Sequence, residues 1–230
     1  MLNALKTFEQ NIAETNHLSL LHRYIAEHIR APSSYDDLLR SQLVYAVSAF
    51  DKLIHDLVRI GTMEIFIGNR PPTPAYLTRP ITIQIHVDLT GATFPPKEFL
   101  FQQEIVRQLS RATFQDPDRI AEGLAHIWNA PDKWTLVAAR LGGTSAADVR
   151  TRLKLIANRR NAIVHEADMD PLTNAKTPIT AQECADSVGF LLACGQAITH
   201  LVVEDGLKCA GLAGPTSFGG AAVPKAPLKR

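Results

Sequence analysis

The sequence lacks the motifs that mark several common enzyme classes. It contains no Cys-x-x-Cys pair and no His-Glu-x-x-His, so a zinc site has little support. It also contains no glycine-rich phosphate loop and no Gly-x-Ser-x-Gly nucleophile motif. No cluster of carboxylates suggests a divalent cation site. We therefore predict a protein that uses neither a metal ion nor a cofactor.

Cysteine is scarce, and the three cysteines are Cys184, Cys194 and Cys209. Cys184 and Cys194 fall on one predicted helix and are too far apart for a disulfide. The first residues show neither the basic start nor the apolar run of a signal peptide. The longest apolar tract, residues 188–203, is short and interrupted by polar residues, so no membrane span is predicted. These features predict a reduced, cytoplasmic protein.

The net charge of +1 does not by itself indicate a nucleic-acid-binding protein. Residues 1–205 are predicted to form one helical domain, and the Gly-, Pro- and Ala-rich residues 206–230 a flexible basic tail. Contact with RNA would depend on a local basic cluster, which contains Arg150, Arg152, Lys154, Arg159 and Arg160. The exposed members of this cluster can equally form an ordinary solvated helix face.

Most of the chain shows the apolar spacing of helices, which predicts an all-α bundle. The predicted helices cover residues 3–15, 17–30, 35–60, 97–112, 116–128, 131–142, 146–165 and 181–204. Asp116 and Pro117 fit the N-cap and first position of a helix, and Thr180 with Glu183 fits a capping box. Gly61 and Gly206 are predicted to follow helix ends.

Residues 61–96 differ from the rest and are predicted to form a small extended or β insertion. Apolar and polar residues alternate from Ile81 to Asp88, which is the period of a strand. No equally clear partner strand is present. The segment could pair with residues 63–67, pair with the same strand of a second subunit, or lie extended across the helices.

The helix that begins near Ala146 carries an unusual stripe. Its apolar positions are Val149, Leu153, Ile156 and Ala157. Continued by helical spacing, the stripe reaches Arg160 and Asn161, and His165 follows Asn161 by four residues. The same spacing places Arg152, Arg159 and Glu166 on the opposite, solvated side. Polar groups on a buried face require partners or a function.

Two explanations of this stripe stay open on the residues alone. Structurally, Arg160 could pair with a buried aspartate, and His165 could bond a carbonyl at a helix end. Chemically, arginine offers a planar fork of donors that suits phosphate, and histidine can transfer a proton near neutral pH. Asn161 could orient either side chain. This set fits metal-independent cleavage of a phosphodiester by the RNA 2′-hydroxyl, without requiring it.

The helix over residues 35–60 provides candidate supporting residues. Arg40 and Asp51 lie 11 residues apart, which is almost three helical turns, so both point in nearly the same direction. Asp51 is either a solvated residue at the edge of the apolar stripe or the anion that holds Arg160 or His165. The full set of candidate supporting residues is Arg40, Asp51, His55, Glu166 and Asp168.

The string RRNAIVHEADMDP, residues 159–171, resembles the RiboL-PSP-type group of HEPN domains. Arg160 is followed by the polar residue Asn161, and four residues separate Arg160 from His165. This spacing matches the HEPN arginine–histidine pattern. Residues 36–58, 114–127 and 181–204 resemble the same group in the same order. The resemblance extends over about residues 15–204.

The resemblance implies a homodimer in which the two motif helices meet and cut RNA without a metal ion. His165 would be the general acid and base, Arg160 would stabilise the charge on phosphorus, and Asn161 would orient the group or contact RNA. It also implies a role in toxin–antitoxin or antiviral defence, with an antitoxin as partner. Some HEPN domains are instead non-catalytic dimerisation or nucleotide-binding modules beside a nucleotidyltransferase. A plain helical interaction protein is a third interpretation.

Overall fold

The computed structural model describes residues 1–29 and 35–212, with side chains up to Leu207. Within these ranges the chain forms nine helices and no β-strand, which confirms the predicted all-α bundle. The helices are α1 (Leu2–His28), α2 (Asp37–Phe66), α3 (Pro74–Leu77), α4 (Ile83–Gly91), α5 (Lys97–Leu109), α6 (Pro117–Ala125), α7 (Lys133–Leu141), α8 (Ala146–His165) and α9 (Ala181–Leu212).

Helix α2 lies at the centre of the bundle and packs against α1, α5, α6, α8 and α9. Its apolar residues recur every three or four positions, and Leu39, Leu53, Ile54 and Leu57 are almost completely buried. Full burial of such a side chain contributes about 1.5–3 kcal/mol. This buried stripe fixes α2 beside α8 and so positions the polar residues that both helices carry.

The predicted strand is wrong, because residues 83–91 form helix α4. Thr82 caps this helix by accepting a hydrogen bond from the backbone N–H of Ile85 at 3.2 Å. A lone strand would leave its backbone groups unpaired, whereas a helix satisfies them within itself. Helix α4 packs against α5 and leaves Ile83 and Val87 exposed by 83% and 56%, so the alternating pattern did not mark a buried face.

Two helices continue through glycines at which the sequence predicted ends. Helix α2 passes Gly61, where a Cβ would lie only 2.7 Å from the side chain of Ile127. Helix α9 passes Gly206, which faces the guanidinium group of Arg70. Both glycines therefore allow close packing. Residues 213–230 of the predicted tail lie outside the described residues, so the tail and the domain boundary at 205 stay predictions.

Helix α9 is a core helix, although residues 181–207 are long and apolar enough to cross a membrane. Its buried residues include Cys194, Ile198 and Val202, and it packs against α1, α2 and α7. Cys184 and Cys194 are free thiols, and burial raises the pKa of Cys184 to about 11 and that of Cys194 to about 12. The core position accounts for the apolar composition of this helix.

The start of α8 is fixed by a capping box. Ser145 accepts a hydrogen bond from the backbone N–H of Asp148 at 3.1 Å, and the Asp148 carboxylate accepts one from the backbone of Ser145 at 3.2 Å. The predicted caps Asp116 and Thr180 are likewise confirmed. The caps at Ser145 and Thr180 fix the first residues of α8 and α9, and so the ends of the segment that carries the loop of residues 166–180.

Candidate functional site

The candidate site lies in the last two turns of α8. Arg160 and Asn161 are partly buried, whereas His165 is exposed. Arg160 Nη1 donates a hydrogen bond to Asn161 Oδ1 at 3.1 Å. Arg160 Nε is buried and has no hydrogen-bond partner among the described residues. The prediction of a position at the buried face therefore holds for Arg160 and Asn161 and is wrong for His165.

The two partners that the structural explanation requires are not found among the described residues. Within residues 1–29 and 35–212, Arg160 pairs with no carboxylate and the His165 ring bonds no carbonyl. At 100° per residue, the two side chains leave the helix about 140° apart. Two potential ligands for a phosphate thus remain available at the end of α8, and they point in different directions.

The buried acid of this region is Asp168, which is only 1% exposed. Its Oδ2 accepts hydrogen bonds from Arg40 Nε at 2.5 Å and from Arg159 Nη2 at 2.8 Å. The carbonyl oxygen of Thr177 accepts from both arginines, at 2.8 and 2.9 Å. We name Arg40, Arg159 and Asp168 the Asp168 clamp. It joins α2, α8 and the loop of residues 166–180.

The clamp is built on an unusual backbone. Asp168 has a φ of +59°, in the left-handed region that aspartate tolerates better than most residues. Its N–H donates to the carbonyl of Ala162 at 2.9 Å, which turns the chain back onto the end of α8. The Asp168 carboxylate, three residues after His165, is therefore directed into the protein. The sequence identified Arg40 and Asp168 as candidate supporting residues, and the structure brings them together.

The predicted solvated position of Arg159 is wrong. Its side chain is only 24% exposed, and its guanidinium also donates to the Pro178 carbonyl at 3.1 Å. Helical spacing gives the direction in which a side chain leaves the helix, but the loop of residues 166–180 folds back over Arg159. A contact between Arg159 and RNA stays a prediction, and its Nη2 already donates inside the protein.

Asp51 has a partner that neither predicted role included, and its side chain is still 21% exposed. Its Oδ1 accepts a hydrogen bond from the backbone N–H of Phe114 at 2.5 Å, and its Oδ2 lies 3.5 Å from His55 Nε2. The His55 ring packs against the Phe114 ring with centroids 4.6 Å apart. Asp51 and His55 therefore fix the segment before α6 to α2, and the structure shows no bond from Asp51 to Arg160 or His165.

The basic cluster on α8 is divided by its contacts. Arg150 pairs with Asp118 at 2.7 Å, and Arg152 donates to the carbonyl of Asp186 at 2.9 Å. Lys154 is exposed and has no ion pair among the described residues. Glu166 is exposed as well, and its backbone N–H donates to the carbonyl of Ala162 at the helix end. Besides Arg160, Lys154 is thus the cluster member best able to contact an external phosphate.

Arg40 contacts two carboxylates, those of Asp37 and Asp168. Its Nη1 donates to Asp37 Oδ1 at 3.1 Å, in addition to its bond to Asp168. Hydrogen bonding to Lys176 lowers the pKa of Asp37, so this carboxylate stays charged beside Arg40. In the described part of the chain, no group of three His, Cys, Asp or Glu side chains could hold a metal ion.

The comparison with protein-family models gives one match, to RiboL-PSP-HEPN over residues 8–203. The chain belongs to the RiboL-PSP-HEPN family. No curated protein and no solved structure matched it. HEPN domains are often ribonucleases, and they typically form dimers and bind RNA. Family membership therefore confirms the resemblance and supports an RNA-cleaving or nucleotide-binding role in general terms.

Proposed function

We propose that this HEPN protein is a metal-independent endoribonuclease that acts as a homodimer. The observation that carries the proposal is the state of Arg160, which is partly buried at the end of α8 and pairs with no carboxylate among the described residues. An arginine in this state can bind and stabilise a phosphate dianion or phosphorane. The exposed imidazole of His165, five positions further along, can transfer the proton.

Two adjacent arginines have opposite roles in this proposal. Arg159 Nη2 is engaged by the carboxylate of Asp168 and by two backbone carbonyls. Among the described residues, the one hydrogen bond of the Arg160 side chain runs from Nη1 to Asn161 Oδ1. Asn161 thereby orients the guanidinium without neutralising it. The side chain that remains charged and available is the one that the HEPN pattern assigns to phosphate.

A second copy of the chain completes the site. Arg160 and His165 project in different directions from one helix, so a cleft lined by both types of residue is best formed between two α8 helices. Leu155, Asn158, Ala162 and His165 follow one another on the outward face of α8. Leu155 on this face is 63% exposed, so an apolar side chain is available for contact with a second copy. We assign this face to the homodimer contact.

In the proposed reaction, the RNA 2′-hydroxyl attacks the adjacent phosphorus and the bond from phosphorus to the 5′-oxygen breaks. One imidazole accepts the proton of the 2′-hydroxyl, and a protonated imidazole donates a proton to the departing 5′-oxygen. Arg160 binds the oxygens that gain charge on phosphorus. The products are a 2′,3′-cyclic phosphate and a 5′-hydroxyl, and no metal ion or cofactor takes part.

The biological setting is part of the proposal. We infer a cytoplasmic role in toxin–antitoxin or antiviral defence, with an antitoxin that restrains the enzyme. The alternative is a non-catalytic dimerisation or nucleotide-binding module that works with a nucleotidyltransferase. Both alternatives require a dimer, but only the nuclease requires Arg160 and His165 for RNA cleavage. Measurement of cleavage by variants of α8 therefore separates them.

The two adjacent arginines offer a matched pair of variants. Arg160→Gln is expected to lower the cleavage rate about 10²–10³-fold with little change in stability, because it removes a phosphate ligand and no ion pair. Arg159→Gln is expected to destabilise the protein because it removes a partner of buried Asp168. Cleavage of a labelled RNA and urea unfolding measure the two effects. Equal activity of the two folded variants would contradict the assignment.

The dimer contact predicts the behaviour of Leu155→Glu. A charge placed on both copies of α8 should repel across the contact, so the variant is expected to be monomeric and at least tenfold less active. Leu172→Glu is the control, because Leu172 is 92% exposed outside α8. Light scattering after size exclusion gives the mass of each protein. A dimeric and active Leu155→Glu protein would contradict the assignment of the dimer contact to this face of α8.

A further inference from the structure

A polar cavity away from the α8 site lies between α5, α6 and the segment that follows α3. Its volume is about 480 Å³. Its polar lining contains three arginines, Arg79, Arg111 and Arg119, and a single carboxylate, that of Glu122. None of these residues belongs to the site at the end of α8. The excess of positive charge in a cavity of this size requires an explanation of its own.

Arg79 is the most informative residue of this cavity. Its Nη1 atom is buried and has no hydrogen-bond partner among the described residues. Burial lowers the pKa of Arg79, although a guanidinium stays protonated in proteins. A buried, unpaired donor on a charged group is costly in free energy. The cost would be recovered if an anion occupied the cavity.

The backbone on both sides of Arg79 is held in place. The Thr73 hydroxyl donates to the carbonyl of Ala125 at 2.8 Å, and His126 Nδ1 donates to the carbonyl of Ala75 at 3.0 Å. On the other side, Gln108 Nε2 donates to the carbonyl of Pro80 at 3.1 Å. These bonds fix the segment to α5 and α6. Arg79 is therefore positioned before any ligand arrives, which reduces the entropy lost on binding.

The neighbouring charges do not neutralise the cavity. Arg111 is exposed and forms no ion pair within the described residues. Arg119 lies 3.2 Å from Glu122, and both side chains are largely exposed. The buried carboxylate of Glu104 interacts electrostatically with Arg79 and Arg111 but forms an ion pair with neither. Its oxygens instead accept hydrogen bonds from Arg107 at 2.6 and 2.7 Å and from Gln108 at 2.8 Å. Arg79 and Arg111 therefore remain available to an external anion.

We infer that this cavity binds a phosphate group carried by a nucleotide or by an RNA strand. Two arginine forks provide the charge-assisted donors that phosphate oxygens accept, and Phe114 contributes an apolar wall. The volume lies in the range of small-molecule binding sites. The inference stands apart from the proposed nuclease, because it uses neither Arg160 nor His165.

The test measures binding of AMP, adenosine and an uncleavable 2′-O-methyl RNA oligonucleotide by calorimetry and fluorescence anisotropy. Arg79→Gln and Arg111→Gln are compared with wild type and with Arg23→Gln, which removes an exposed charge on α1 outside the cavity. We expect each cavity variant to bind the phosphate ligand about tenfold or more weakly. Arg23→Gln should bind like wild type, and adenosine should not bind.

The two sources of phosphate give different outcomes. Loss of AMP binding in the cavity variants identifies a free nucleotide as the ligand, whereas loss confined to the oligonucleotide identifies a phosphate of the RNA strand. The inference is overturned if neither ligand binds wild type, or if the cavity variants bind both like Arg23→Gln. Because the cavity shares no residue with the α8 site, His165→Ala is expected to bind AMP like wild type, so AMP binding tests the cavity even if the nuclease proposal fails.

Thermal unfolding provides a second readout. A ligand that binds only the folded protein raises the melting temperature, so the ligand that binds should raise that of wild type and leave Arg79→Gln almost unchanged. Without ligand, Arg79→Gln should melt no lower than wild type, because no hydrogen bond of the Arg79 side chain is lost. A clearly lower melting temperature without ligand and an equal ligand-induced rise in both proteins would assign Arg79 to structure alone.

Discussion

Replacement of His165 by alanine is expected to lower the rate of RNA cleavage about 10²–10⁴-fold, the usual contribution of general acid–base catalysis. The side chain is exposed and forms no hydrogen bond among the described residues, so the fold should not change. The imidazole is the group in the last turns of α8 that can both accept and donate a proton near neutral pH. The loss should therefore appear in the chemical step.

The measurement is single-turnover cleavage of a labelled RNA by wild type and His165→Ala at equal dimer concentration. His17→Ala is a suitable control, because it removes an exposed imidazole from α1. The control should cut like wild type. Cleavage by His165→Ala within threefold of the control, in a preparation free of other nucleases, would remove His165 from the reaction.

Replacement of Asp168 by alanine is expected to destabilise the protein by about 3–5 kcal/mol, the cost of breaking a buried ion pair. Asp168 is 1% exposed and Arg40 6%, so neither charge can recover its hydration when the other is removed. Arg159 would lose its carboxylate partner as well. The loop of residues 166–180 would then lose its main link to α2 and α8.

Glu166→Ala is the matched control for Asp168→Ala. Glu166 lies two residues earlier, is exposed, and forms no side-chain hydrogen bond among the described residues. Its replacement should change the free energy of unfolding by less than about 0.5 kcal/mol. Urea unfolding followed by circular dichroism compares the two variants. Equal stability of the two proteins would show that the Asp168 clamp does not hold this part of the fold.

The elements that the sequence predicted correctly depend on local chemistry. The caps at Asp116 and Thr180 use side chains within three residues of the backbone groups that they bind. The core stripe of α2 repeats over several turns, so its helical period is clear. The position of Arg160 followed directly from the stripe of α8. Local patterns of this kind need no knowledge of the remaining chain.

The features that the sequence missed depend on contacts between distant segments. Asp168 meets Arg40 across 128 positions, and the carbonyls of Thr177 and Pro178 have no side-chain signal. The strand prediction for α4 failed because the alternation of β-branched residues was read without a partner strand. The bond from the Phe114 backbone to Asp51 was not among the two roles considered for this residue, because helical spacing gives its direction on α2 and says nothing about the position of Phe114.

The central claim is that two copies of α8 cut RNA without a metal ion. The most direct test is incubation of RNA with purified protein in EDTA, followed by analysis of the ends of the fragments. The account predicts cleavage by wild type with 2′,3′-cyclic phosphate and 5′-hydroxyl ends, and loss of these fragments with folded, dimeric His165→Ala. Cleavage that stops in EDTA and returns with a divalent cation, or fragments with 3′-hydroxyl ends, would contradict it.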